Sequence, residues 1–279
     1  MFDNDIFNKN MVCHYTHHQA AISILKDSRL NFSSLASCDD PRESKQWNFD
    51  FIGSEQILCI ENFSDTPNIF SSSILNNSML LCFCGWNAEN IDFSREMIPH
   101  YREAYFRAGF ARSRMWSQYG RKHTGICFVF DRARIEEEFN TTFNTKKKFS
   151  GGVEYQYYRE SFVKARNIEC KNILHNSIDK ALEKQIDTYY HEYFFLKSMD
   201  YRDEHEYRLI IVDNDDSISL PIASSLKAVI VGVDFPPDKY ECINELTLKC
   251  NRSAERWLLS WQEGRPQLFD LAGEIRKVT

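Results

Sequence analysis

Glu204 and Glu206 stand one residue apart in "YRDEHEYRLIIV", residues 201–212, directly before an apolar run. In extended backbone, alternate residues point to the same side, so the spacing predicts two carboxylates facing one task. Arg208 follows, with a planar fork able to hold a carboxylate through paired hydrogen bonds, and Lys197 precedes. Three more clusters carry chemically capable side chains. They are His14-Tyr15-Thr16, then Asp39-Asp40-Pro41-Arg42-Glu43, then Met115-Trp116-Ser117-Gln118-Tyr119 with His123-Thr124-Gly125 just beyond.

Each cluster also has a plain structural explanation. His14 reads as a half-buried strand histidine with one hydrogen bond. Asp40-Pro41 initiates a turn, and Glu43 three residues after Asp40 fits a capping box. Trp116 and Tyr119 at i, i+3 on a helix read as core, and Glu204 with Glu206 reads as the solvated rim of a strand. An alternative gathers His14, Asp40, Glu43, His123, Glu204 and Glu206 around the cation of a metal-dependent nuclease or hydrolase. No His/Asp spacing diagnostic of such an enzyme is present. A non-catalytic binding module on the same scaffold is the third class.

The elements that must position these groups are legible in outline. "VCHYTH" reads as a strand and "HQAAISILKDSRL" as an amphipathic helix through Ala21, Ile24 and Leu25. "LNFSS", "SMLLCFCGW", "HTGICFVFD", "EYRLIIVD" and "LKAVIVGVDF" read as strands, and "DKYECINELTLKCN" as a helix ahead of the strand "RWLLSW". "TKKKFSGGVEYQY" is predicted to cross a glycine turn into a strand. Helices are predicted over roughly 47–76 and 161–198, and over 94–120 with a break near Pro99. Strands dispersed among helices of unequal length, without regular alternation, predict an α+β fold in a single domain over 1–279.

Composition bounds the partners. The chain has 279 residues, 27% charged, with a formal net charge of −6, which disfavours a strong overall field for nucleic acid or anionic membrane. No apolar run approaches the roughly 20 residues needed to span a bilayer. The acid- and amide-rich start does not resemble a signal peptide. A cytoplasmic protein without membrane partners is expected. Nine cysteines, odd in number and scattered, predict neither a disulfide framework nor a zinc site.

Taken together and in order, the clusters resemble the bacterial family labelled domain of unknown function 2971. The resemblance lies in "CHYTHHQAAISILKDSRLNFSSLASCDDPRE", "MWSQYGRKHTGICFVFD", "KSMDYRDEHEYRLI" and "LKAVIVG", spanning about 12–235 and leaving 236–279 as a C-terminal extension. Asp39 departs from the asparagine usual in that family, a change that weakens a turn hydrogen bond.

The order is also distantly similar to that of ADP-ribosyltransferases. The similarity implies a split mixed or antiparallel sheet flanked by helices, in which the strand of His14 sits beside the strand beginning near Glu206 around a central cleft, with NAD as substrate. His14 would anchor the ribose, with Tyr15 and Thr16 beside it and Ser33 and Ser34 near the nicotinamide. Glu206 would stabilise the developing oxocarbenium charge, Glu204 would orient the acceptor, and Arg208 would contribute to cofactor binding. NAD binding without a glycine-rich phosphate loop fits that fold. The resemblance implies ADP-ribose transfer to a protein or nucleic-acid acceptor, or to water, in a bacterial toxin or antiviral defence effector.

Overall fold

The computed structural model describes residues 6–87, 106–157, 160–213, 215 and 217–278. Its strands are β1 (Met11–Thr16), β2 (Arg29–Asn31), β3 (Ser33–Ser34), β4 (Asp50–Ile52), β5 (Ser78–Cys84), β6 (Ile126–Asp131), β7 (Lys147–Gly152) and β8 (Glu154–Gln156). They continue with β9 (Asn167–Glu169), β10 (Leu196–Ser198), β11 (Glu206–Val212), β12 (Ser219–Pro221), β13 (Leu226–Val231), β14 (Glu255–Gln262) and β15 (Arg265–Asp270).

Nine of these form one mixed sheet in the order β15-β14-β13-β6-β1-β5-β11-β7, with β3 paired to β5. Only the β13–β14 pairing within it is parallel; the other neighbours run antiparallel. The strands that alternate least are the most central. Ile126–Phe130 of β6 is continuously buried, as expected for a strand covered on both faces. One face packs Val12, Phe83, Phe128, Phe130 and Leu209 beneath helices that include His18–Asp27 and Tyr240–Cys250. The opposite face is covered in two parts. Leu80 and Ile210 meet the helices Thr66–Asn77 and Ile178–Phe194, and Cys13, Tyr15 and Cys127 pack on Trp116 and Leu259.

The mixture of a large sheet and helices matches the expected α+β character, and several predicted elements are corrected. The region 47–76 is not one helix. It holds β4 and the two helices Gln56–Asn62 and Thr66–Asn77. The region 161–198 is broken into helices Glu160–Ala165, Cys170–Leu174 and Ile178–Phe194, with β9 and β10 between and after them. Pairing decided this, because β4 binds β9 and β10 binds β8, each in parallel. The predicted glycine turn is instead strand, since Gly151 and Gly152 pair with Arg208 and Tyr207. Of the predicted helix at 94–120, the part around Pro99 lies outside the described residues, and Ser113–Gln118 is helical.

Candidate functional site

β5 organises the site. One of its edges is paired by β11 along its whole length, from Ser78↔Val212 to Cys84↔Glu206. The other edge is shared. β1 registers with β5 at Cys13↔Cys84 alone, and β3 takes the far end at Ser33↔Leu80 and Ser34↔Met79. The sheet is therefore split between β1 and β3. A pocket of about 260 Å³ opens there, reached by His14, Ser33, Cys38 and Asp39 from the split side. Lys197, Glu204, Glu206 and Arg208 line it from the β11 side. His14 does not stand beside β11, because β5 lies between β1 and β11. Its ring packs edge-on against Phe83, on the face opposite Glu206. The split lets both reach one pocket, which is lined by residues of both faces of β5.

Arg208 is the centre of a buried ionic cluster, with no exposed surface of its own. Its Nη1 and Nη2 donate to the two oxygens of Glu43 at 2.8 and 3.0 Å. Its Nε and Nη2 donate to the two oxygens of Glu206 at 2.8 and 2.9 Å. The fifth N–H reaches the Phe194 carbonyl at 2.8 Å. A guanidinium has five donors, and all five are used inside the protein. Lys197 Nζ lies 2.7 Å from Glu204 Oε2 and 3.0 Å from Glu206 Oε2. It sits 4.0 Å from Glu43 and 4.6 Å over the Tyr201 ring. Tyr119 donates its hydroxyl to Glu204 Oε1 at 2.8 Å, and the Glu206 backbone N–H donates to the Tyr155 hydroxyl at 2.8 Å.

Three carboxylates against two cations leave this cluster one unit negative when all five groups are ionised. Burial works to raise the Glu206 pKa, but the charges of Arg208 and Lys197 and the bonds they donate outweigh it and hold the group down to about 2. Glu204 moves the other way, raised by burial against the counteracting Lys197. Neighbouring carboxylates whose environments separate their pKa values are the mark of divided chemical roles. Burial lowers the Lys197 pKa, but Glu206 and Glu43 overcome it and raise it. His14 is lowered by burial, against the Cys82 carbonyl bond. Its Nδ1 lies 3.0 Å from that carbonyl oxygen. A carbonyl only accepts, so Nδ1 carries the proton and Nε2 is left as an acceptor in the neutral ring.

The expected site residues separate into groups. His14, Tyr15, Ser33, Glu204, Glu206 and Arg208 all line the pocket. Tyr15 is nevertheless tied into the core, donating to the Gly109 carbonyl at 2.6 Å and packing edge-on against Trp116. Thr16, paired with Ile126, is not among the residues that line it, nor is Ser34, whose carbonyl accepts from Ser37. Arg208 makes the expected paired bonds to a carboxylate, and makes them twice, to Glu43 and to Glu206; with the Phe194 carbonyl taking the fifth, no N–H remains for a cofactor.

Glu43 also departs from its expected capping role. Asp40 does cap the helix Pro41–Ser44 through Arg42 N–H, while the Glu43 side chain turns to Arg208. Trp116 is core, as its spacing predicts, whereas Tyr119 belongs to the site. His123 lies in a left-handed turn with Arg121 and Lys122 and is not among the residues that line the pocket. Lys197 and Asp39 stand in the clusters named from the sequence but without a role of their own, and Tyr155 and Cys38 went unmarked. Cys38 lies in "SCDD", which reads only as the start of a turn, and nothing in "VEYQY" marks Tyr155.

Glu204 and Glu206 do converge, though not as consecutive positions of one strand. Glu204 ends the 3₁₀ turn Met199–Glu204, and His205 is left-handed at φ 43° before β11 begins. A non-glycine residue there costs roughly 1–2 kcal/mol. The His205 carbonyl accepts from Gly85 N–H at 2.7 Å, which helps hold it.

Residues 115–209 match the model of a protein family of unknown function, DUF2971. The matched segment runs from the helix carrying Met115, and Tyr119 at its end, through Lys197, Glu204, Glu206 and Arg208, and does not include the strand of His14. No curated protein and no solved structure matches the chain. None of the comparisons returns an ADP-ribosyltransferase, so that resemblance rests on the residues alone.

Proposed function

We propose that the chain is an NAD-dependent enzyme of ADP-ribosyltransferase type, cleaving the nicotinamide–ribose bond at the split between β1 and β3. The observation that carries this reading is the convergence of His14, Ser33 and the Glu204/Glu206 pair on one pocket. The pocket's size, about 260 Å³, is below the roughly 300–1,000 Å³ of sites that enclose a drug-sized ligand. It takes the nicotinamide-ribose end and leaves the adenosine end outside.

In the reaction the C–N bond breaks, nicotinamide leaves with the bonding electron pair, and the ribosyl carbon becomes cationic. An acceptor O–H or N–H then forms the new bond and gives up its proton. The carboxylate pair supplies negative charge where positive charge develops, and the neutral His14 offers Nε2 to a ribose hydroxyl. The acceptor, protein, nucleic acid or water, and the role of toxin or antiviral effector belong to the same proposal.

The metal-dependent alternative fits less well. Among the described residues no group of three or more His, Cys, Asp or Glu is placed to hold an ion, and Lys197 and Arg208 occupy the positions beside the carboxylates that a cation would take. A binding module is favoured by one feature, the complete internal pairing of Arg208. Nicotinamide release from NAD separates the readings. The parent protein is expected to release it, and the Glu204→Gln/Glu206→Gln variant to lose about 10²–10³ in rate. NAD bound without turnover would indicate a binding module, and neither binding nor turnover would overturn the NAD reading altogether.

A further inference from the structure

The two carboxylates differ in how much of their hydrogen-bonding capacity is already spent. An ionised carboxylate offers about four acceptor positions. Glu206 uses one for Arg208 Nε, one for Arg208 Nη2 and one for Lys197 Nζ, at 2.8, 2.9 and 3.0 Å. These are three charge-assisted bonds, from the two strongest donors in the pocket, and they leave Glu206 one position. Glu204 accepts only from Lys197 at 2.7 Å and Tyr119 at 2.8 Å, with no further partner among the described residues. Both line the pocket.

We infer that Glu204 is the carboxylate that meets the substrate, and that Glu206 is a positioning residue acting through Lys197. This rests on the ribosyl-transfer reading of the pocket and inverts the division of labour that the resemblance implies. A carboxylate held by three charged donors, two of them in one rigid fork, is fixed in place and has one position left for a ribose hydroxyl. Glu204 has two positions to give. Its backbone placement serves the same end, because the left-handed His205 takes Glu204 out of the strand while Glu206 stays in it. Lys197 joins the two, so the fixed carboxylate holds the ammonium that orients the free one. Tyr119, Tyr155, Tyr201 and Cys84 also feel the charge of Glu204, and Asp203 and His205 adjoin it in the chain.

The test has one arm that needs no turnover. Parent protein is treated with a water-soluble carbodiimide and an amine, with and without NAD, and the labelled glutamates are mapped by mass spectrometry. Glu204 is expected to be labelled and protected by NAD, and Glu206 to stay unlabelled. The other arm measures nicotinamide release. Glu204→Gln is expected to lose about 10²–10³ in kcat and Glu206→Gln about tenfold or less. The pH profile of Glu206→Gln should have its acid limb displaced to lower pH, because the like charge that raises Glu204 is gone. A general loss of packing would not move that limb. Preferential labelling of Glu206, or parental release by Glu204→Gln, overturns the assignment. If the parent releases no nicotinamide, the NAD reading fails, and the labelling pattern still decides which carboxylate is free. Should Glu206→Gln not fold, the labelling of the parent decides alone.

Discussion

Arg208 shows at the scale of one residue why a buried ion cluster is costly to disturb. Its two forks satisfy Glu43 and Glu206 together, so Arg208→Met strands two carboxylates away from water. Removing one partner of a buried pair costs about 3–5 kcal/mol, and a comparable loss is expected in urea unfolding of Arg208→Met. Arg208→Lys should rescue little, because an ammonium cannot form two planar forks.

The sign of the accompanying pH dependence follows from Glu206. Its pKa is held near 2 in the folded chain against an ordinary 4.5. A depressed carboxylate contributes its full stability above the unfolded value and loses it as pH falls toward the folded one. The parent's unfolding midpoint should therefore drop as pH falls from about 4.5 toward 2, and Arg208→Met should show a shallower fall. An equal slope in both proteins would show that Arg208 does not depress Glu206.

Among the elements, the short helix Pro41–Ser44 has consequences beyond its length. Asp40 caps it through Arg42 N–H at 2.9 Å, Pro41 supplies a φ suited to the first turn, and the helix delivers Glu43 to Arg208. Losing such a cap costs about 1 kcal/mol. Asp40→Ala is expected to cost that and more, because Glu43 moves with the helix, whereas Asp40→Asn keeps an acceptor and most of the stability. Comparable unfolding midpoints for the two variants would separate the cap from the ionic cluster. The split between β1 and β3 is the other decisive element. β5 offers its free edge to both strands, and the unpaired stretch between Cys84 and Leu80 becomes pocket wall.

Across the whole molecule, the sheet is covered on both faces, and no helix among the described residues is long and apolar enough to cross a membrane. All nine cysteines are free thiols, and only Cys242 is exposed. Burial pushes the Cys38 thiol up to about 12 and the Cys82 thiol well above its ordinary value. The thiolate is the reactive form, so a disulfide-exchange reagent should titrate one thiol quickly in the native protein. Cys242→Ser should remove that fast phase. A rapid reaction of several thiols before unfolding would contradict this packing.

Sequence alone determined the character of the central strands and the identity of the main chemical groups. "ICFVF" and "YRLIIV" could be placed as strands because an unbroken apolar run bounded by turns has few other uses, and the clusters that reach the pocket were visible as polar residues at strand ends. It could not determine partners distant in the chain. Glu43 looked like a cap because its local neighbour is Asp40, while Arg208, 165 positions away, offered two stronger bonds. The long helix predicted over 161–198 failed for the same reason, since parallel pairing with β4 and β8 outweighs local helical preference. Glu204 and Glu206 were paired from the expectation of one extended segment, yet the left-handed His205 and the shared Lys197 bring them together. Periodicity reports which face of an element is buried; which buried group meets which is decided by the tertiary fold, because desolvated charges must find partners wherever the topology supplies them.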